Sequence, residues 1–207
     1  AGFEANGLPI LELFNSCCGE NAAFITLPDP NRGLVLYCDL GQIDQYQVAN
    51  KIDEEMMTEY VLHENEAVFQ VLDNATRQTG RLTKQLKVID AKNVSLFSMN
   101  RAYLKRDGAV NKRLEDYYPQ ILGTLFVANA PSWMNALWAA VRPFFPKRTV
   151  EKVDFLPSLS KLKSNKSYLK PILRYVSEDN LPERYGGKNE EWPLPCAGEL
   201  FSPESSQ

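Results

Sequence analysis

Apolar positions along this chain follow two alternating rhythms. Leu34-Val35-Leu36-Tyr37-Cys38 is a short unbroken apolar run, the pattern of a strand covered on both faces. Met57, Val61, Val68, Leu72 and Ala75 recur at spacings of three, four and seven, which predicts one long helix over residues 53–79. Asp53 is placed to cap it, Glu54 and Glu55 put negative charge into its first turn, and Gly80 ends it. Further strands are predicted at Leu86 to Ala91, Thr124 to Ala130 and Lys152 to Leu156. A polar helical stretch ending at Tyr117-Tyr118-Pro119 separates the first two. Ahead of these lie a helical run, Leu8 to Phe14, a break at Ser16-Cys17-Cys18-Gly19 and a strand at Phe24 to Leu27. Asp29-Pro30-Asn31-Arg32-Gly33 reads as a turn. Strands alternating with helices predict an α/β fold with a mostly parallel β-sheet.

One helix breaks the amphipathic rule. From Pro131 to Phe145, with Ser132 as its candidate cap, Trp133, Met134, Ala136, Leu137, Trp138, Ala139, Ala140 and Val141 place apolar side chains around its whole circumference. Such a helix is either fully buried in a core or faces something apolar other than water. It is too short to cross a bilayer. Arg142, Lys147, Arg148 and Lys152 follow at once, an arrangement also found in helices at a lipid interface.

Charge sharpens that choice. The 207 residues are 44% hydrophobic and 24% charged, with a net charge of -3, which fits a globular protein and argues against binding nucleic acid through overall charge. The near-neutral total is a cancellation. Residues 1–80 carry 3 basic against 13 acidic residues, whereas 81–113 and 141–174 each carry 9 against 2. Two blocks of +7 either converge on one cationic surface or form solvated faces balanced by the acidic segments.

Catalytic signatures are missing. His63-Glu64-Asn65-Glu66-Ala67 has alanine where the second zinc-binding histidine of an H-E-x-x-H motif must stand. There is no dinucleotide-binding glycine fingerprint, phosphate-binding loop or nucleophile elbow. The four cysteines, at 17, 18, 38 and 196, match neither a zinc spacing nor a small disulfide framework and are expected to be reduced. No run reaches membrane-spanning length and the start lacks the features of a signal peptide, so a cytoplasmic protein is expected. The chain opens on Ala1-Gly2-Phe3 without an initiator Met, and it is expected to be a piece of a longer one.

Taken in order, Tyr117-Tyr118-Pro119-Gln120-Ile121-Leu122-Gly123, Leu125-Phe126-Val127-Ala128-Asn129-Ala130-Pro131, Trp133 to Phe145, Thr149 to Leu156 and Leu181-Pro182-Glu183-Arg184-Tyr185-Gly186-Gly187 closely resemble the CRAL-TRIO lipid-binding domain family, which includes phosphatidylinositol/phosphatidylcholine transfer proteins and retinaldehyde- and tocopherol-binding proteins. Asp29 to Gly41, Glu66 and Val88-Ile89-Asp90 extend the likeness upstream. It implies a domain over 29–187, preceded by a lead-in at 1–28 that is the remnant of a helical segment, and followed by an irregular tail at 188–207.

The resemblance implies a sheet flooring an apolar lipid pocket closed by a gate helix, with no catalytic residue, metal or cofactor. Leu36, Val68, Phe126, Trp133, Met134, Leu137, Trp138, Val141, Phe144 and Phe145 are expected in the pocket or gate. Thr149 and Lys152 match positions that contact an inositol-lipid phosphate, and Gln120 replaces a glutamate on the inositol side. Where the family holds choline phosphate, this chain has Leu36, Asn65, Gln85 and Lys87, which lack aromatic partners for a quaternary ammonium; an inward Lys87 would also repel it. Gln85 and Lys87 complete the expected headgroup set. The implied partners are phospholipid, with phosphatidylinositol expected, and an anionic membrane surface to which a cytoplasmic monomer attaches peripherally, with no nucleic acid. A carrier of a terpenoid-like small molecule and a lipid-sensing targeting module of a larger signalling protein remain alternatives.

Overall fold

The computed structural model describes residues 9–19, 22–29, 32–119, 121–144 and 147–191. A five-stranded sheet is its centre: β1 (Ala23–Asp29), β2 (Gly33–Asp39), β3 (Gln85–Asp90), β4 (Leu122–Ala128) and β5 (Val153–Phe155) lie side by side in chain order. β1 is antiparallel to β2 and every other pair is parallel. The mixed α/β, mostly parallel architecture therefore matches the alternation in the sequence. Residues ahead of position 29 build into the same body: β1 extends the sheet, and Ile10 and Phe14 of α1 (Pro9–Asn15) are buried against the helices.

The parallel register sorts side chains between two faces. Leu36, Lys87, Leu125 and Val153 form one row across the sheet, and Tyr37, Val88, Phe126 and Asp154 the next, so these rows point to opposite sides. On the first face Leu34 and Leu36 pack with Val68 and Leu72 of α3 (Glu54–Thr79). α2 (Gln45–Lys51) and α4 (Arg101–Tyr117) pack with α1 and α3 through Val48, Met57, Val110 and Leu114. The second face is sealed by α7 (Leu159–Ser164) and the 3₁₀ turns after it, through Leu162, Leu169, Ile172, Val176, Leu181 and Tyr185.

The long helix runs as its pattern requires. Asp53 caps it by accepting from the Met56 N–H at 2.8 Å, and Gly80, at φ +67°, takes the left-handed conformation that closes it. α5 (Ser132–Val141) differs from expectation at its start. Pro131 holds the cap position with no side-chain hydrogen bond, and Ser132 is the first helical residue. α2, α6 (Lys147–Val150) and α7 are too short to show a period in the sequence. α2 still has a local signal, for Asp44 accepts from the N–H groups of Tyr46 at 3.1 Å and Gln47 at 3.0 Å.

The two basic blocks do not share a face. α4 carries much of the first on the α3 side of the sheet. Lys161, Lys163, Lys166, Lys170 and Arg174 of the second ride on elements that seal the opposite side. Only its earlier part, Arg142 to Lys152, belongs to the α5–α6–β5 edge.

Candidate functional site

Between α3, α4 and the first sheet face, polar side chains from several elements converge on one cluster. Lys87 enters it from β3; Tyr60 and Glu64, one turn apart, come from α3; Tyr103 and Asp107, also one turn apart, come from α4. Cys38 of β2 and Cys18 border the same cluster. Lys87, Glu64, Asp107 and Cys38 keep partial exposure although Lys87, Asp107 and Cys38 are surrounded by protein. Among the described residues the Lys87 ammonium has no ion pair within 4.0 Å.

Electrostatics settle the charge states. Burial pulls the Lys87 pKa down, but nearby acidic groups, Glu64 foremost, outweigh it and leave it raised. Burial pushes the Asp107 carboxyl up, opposed by Lys87. Burial likewise pushes the Cys38 thiol up to about 11 and the Cys18 thiol up to about 12, which keeps both neutral. Cys17, Cys18 and Cys38 are free thiols.

The expected lipid-contact residues fall in three places. Leu36 and Val68 meet, both buried, in the cluster under α3. Gln85 is buried beside Lys87 on β3, two residues away and on the same face. Asn65 is bound to its own helix, its side-chain amide donating to the Val61 carbonyl at 2.8 Å. Phe126 lies on the other side of the sheet, packed with Val88, Tyr37 and Leu156, while Leu125 and Val127 share the face of Leu36.

The second place is the sheet edge. Met134 of α5 is buried against Ala91, Val94 and Val127, with Trp133 and Phe155 packed against that cluster. Trp138 tilts over Phe155 with ring centroids 6.4 Å apart, and Leu137 is half-buried. The helix apolar on all sides thus has one face docked, while Asn135, Ala136 and Ala139 are exposed. Val141 ends α5 and Phe144 lies in the following 3₁₀ turn. Phe145 and Gln120 fall outside the described residues.

The third place is the turn from α6 into β5. It brings Thr149 and Lys152 together, the Lys152 N–H donating to the Thr149 carbonyl at 3.0 Å. The Lys152 carbonyl accepts from the Leu125 N–H at 2.8 Å and the Thr124 hydroxyl at 2.9 Å, pinning the turn to β4. Val153 is two strands away from Lys87 in the same row, roughly 10 Å at the usual strand spacing. The expected headgroup set is therefore split between an inner position and an edge position.

Two motif residues have a structural duty. The Tyr118 hydroxyl donates to Glu66 at 2.7 Å, clamping the end of α4 to α3 beside an open, acidic groove of about 870 Å³ lined by Glu54, Glu55, Glu59, His63 and Arg113. No expected lipid-contact residue lines that groove. On the far face of the sheet Arg184 donates to the fully buried Asp90 at 2.5 Å; the Tyr185 hydroxyl at 3.1 Å and the Asn129 amide at 2.9 Å reach the same carboxylate. Gly186, at φ +92°, and Gly187, where a Cβ would collide with the Leu181 carbonyl, explain the paired glycines that follow.

Glu64, Asp107, Tyr60 and Tyr103 were not legible as site residues. The available signal was polar groups on otherwise apolar helix stripes, Tyr103 and Asp107 standing in line with Val110 and Leu114.

With this geometry in hand, comparison with known proteins is specific. The model of the CRAL/TRIO domain matches residues 20–187. The SEC14 cytosolic factor of Kluyveromyces lactis is 27% identical over 165 residues, covering 77% of this chain and 51% of that protein. The Phosphatidylinositol/phosphatidylcholine transfer protein SFH12 of Arabidopsis thaliana is 27% identical over 150 residues, 72% of this chain and 26% of the relative. The chain thus spans about half the length of the SEC14 factor it matches. The crystal structure of Sfh5 superimposes with a TM-score of 0.54 at 20% identity, covering 77% of this chain and 57% of that one.

Proposed function

The chain belongs to the CRAL/TRIO domain family, and from that premise we propose that it is a non-catalytic lipid carrier whose domain, residues 29–187 with α1 and β1 built onto it, takes up one phospholipid, phosphatidylinositol, at a membrane surface. The observation that carries this reading is the sheet edge. There α5, with Trp133, Met134 and Trp138 set against Phe155 and Val127, adjoins the turn that holds Thr149 and Lys152. Moving acyl chains out of a bilayer costs about 0.8 kcal/mol per CH2 unless an apolar surface replaces the lipid, and α5 is the apolar surface able to part from the sheet. A threonine hydroxyl and a lysine ammonium in one turn suit the oxygens of a phosphodiester.

Both lipids carry a phosphodiester, and phosphatidylinositol is favoured over phosphatidylcholine because its headgroup lacks the choline cation that the Lys152 ammonium would repel. Repulsion of choline by Lys87 is offset by the neighbouring Glu64 and Asp107. The test is uptake from phosphatidylinositol-containing vesicles, read by native mass spectrometry. Lys152→Ala is expected to lower occupancy about tenfold, and a loss no larger than that of the exposed Lys51→Ala overturns the headgroup assignment. A second reading, a carrier of a terpenoid-like molecule, is supported by the inner polar cluster, since a single hydroxyl placed there would accept from Lys87 and donate to Glu64 or Asp107. Co-purification of such a molecule without phospholipid would favour it.

A further inference from the structure

Where β3 leaves the sheet, the chain makes a short loop that presents two large apolar side chains to water. Phe97 is 91% exposed and Leu96 57% exposed, although a folded chain ordinarily gains by burying such groups. The loop is built to hold them there. Ser95 and Ser98 cap one another, each backbone N–H donating to the other's hydroxyl at 3.1 Å. The Tyr46 hydroxyl donates to the Phe97 carbonyl at 3.2 Å, and Gln45 accepts from the Asn100 N–H at 2.9 Å. Two residues of α2 thereby fix the backbone of the tip.

The surroundings of the tip are cationic. Lys92 precedes it and Arg101 and Lys105 follow in the first turns of α4, all three exposed. The carboxylates at this end are occupied: Asp90 and Asp39 face Arg184, and Asp44 caps α2. Exposed apolar side chains ringed by Lys and Arg match the interface of an anionic bilayer, where the rings and alkyl groups enter below the headgroups and the cations meet them. The same loop contributes Val94 to the cluster that holds Met134 and Trp133 of α5.

We propose that the Leu96–Phe97 tip, with Lys92, Arg101 and Lys105 around it, is a membrane-docking element distinct from α5 that seats this edge of the domain on an anionic bilayer. The proposal rests on the lipid-carrier reading, and its test separates the two. The full chain is sedimented with phosphatidylcholine vesicles and with phosphatidylcholine–phosphatidylserine vesicles, while lipid occupancy is read independently by native mass spectrometry. Leu96→Ser with Phe97→Ser is expected to weaken binding to the anionic vesicles at least tenfold. Arg101→Ala and Lys105→Ala are each expected to weaken it about fivefold and to leave the weak binding to neutral vesicles unchanged. Leu82→Ser, which alters an equally exposed leucine at the opposite end of β3, is expected to bind as the unsubstituted chain does. Unchanged vesicle binding in the tip variants, or equal losses in Leu82→Ser, overturns the docking assignment, as does an unsubstituted chain that binds neither vesicle. Docking that depends on the tip, in a protein that takes up no lipid, upholds it and overturns the carrier reading instead.

Discussion

Single residues carry two opposed kinds of electrostatic duty in this fold. Asp90 is completely buried and satisfied by Arg184, Tyr185 and Asn129. Removing one partner of a buried pair leaves an uncompensated charge, so Arg184→Ala is expected to lower stability by about 3–5 kcal/mol, measured by urea unfolding. Asp107 behaves the other way. Burial raises its folded-state pKa, so the folded chain holds that proton more tightly than the unfolded one. The stability it contributes is present below the ordinary carboxylate range and is lost as pH rises through the folded value. Asp107→Asn is therefore expected to be more stable than the unsubstituted chain at pH of about 7, with the gain gone below about 3.9; unfolding curves at the two pH values check it.

Elements differ in how firmly their ends are tied. α3 has a side-chain cap at Asp53 and a left-handed glycine at its close, whereas α5 begins on Pro131 without a side-chain cap. Pro131→Ser would supply a hydroxyl acceptor for the first turn and is expected to add about 1 kcal/mol to α5. Slower lipid exchange, followed with a fluorescent phospholipid, is the corresponding functional outcome. This contrast also explains what the sequence disclosed. The periodic α3 and the apolar runs of β2, β3 and β4 declare themselves because burial imposes the period. The parallel sheet followed from their alternation, whereas Thr149 and Lys152 were singled out only through the family resemblance. The placement of Phe126 was not, because a strand covered on both faces has no polar alternation to say which side is which. Glu64 and Asp107 escaped because they meet Lys87 from elements far apart in the chain, and no local pattern records such a meeting.

At the scale of the whole molecule the stretch from Leu181 to Asn189 closes over the early strands. Leu181 and Tyr185 are buried in the cluster that covers β2, β3 and β4, and the Glu183 and Lys188 N–H groups are bonded to the Asn189 and Glu178 carbonyls. A chain ending at Asn180 is accordingly expected to lose cooperative unfolding and to bind a hydrophobic dye, while one ending at Glu191 keeps a sharp transition in circular dichroism. The contact between Arg184 and Asp90 joins positions 94 residues apart, and its timing is set by synthesis. A ribosome delivers β3 long before it delivers its guanidinium partner, so the nascent sheet waits with Tyr37, Val88 and Phe126 uncovered and a carboxylate unpaired. That interval, rather than the finished protein, is when this sequence is most in need of a chaperone.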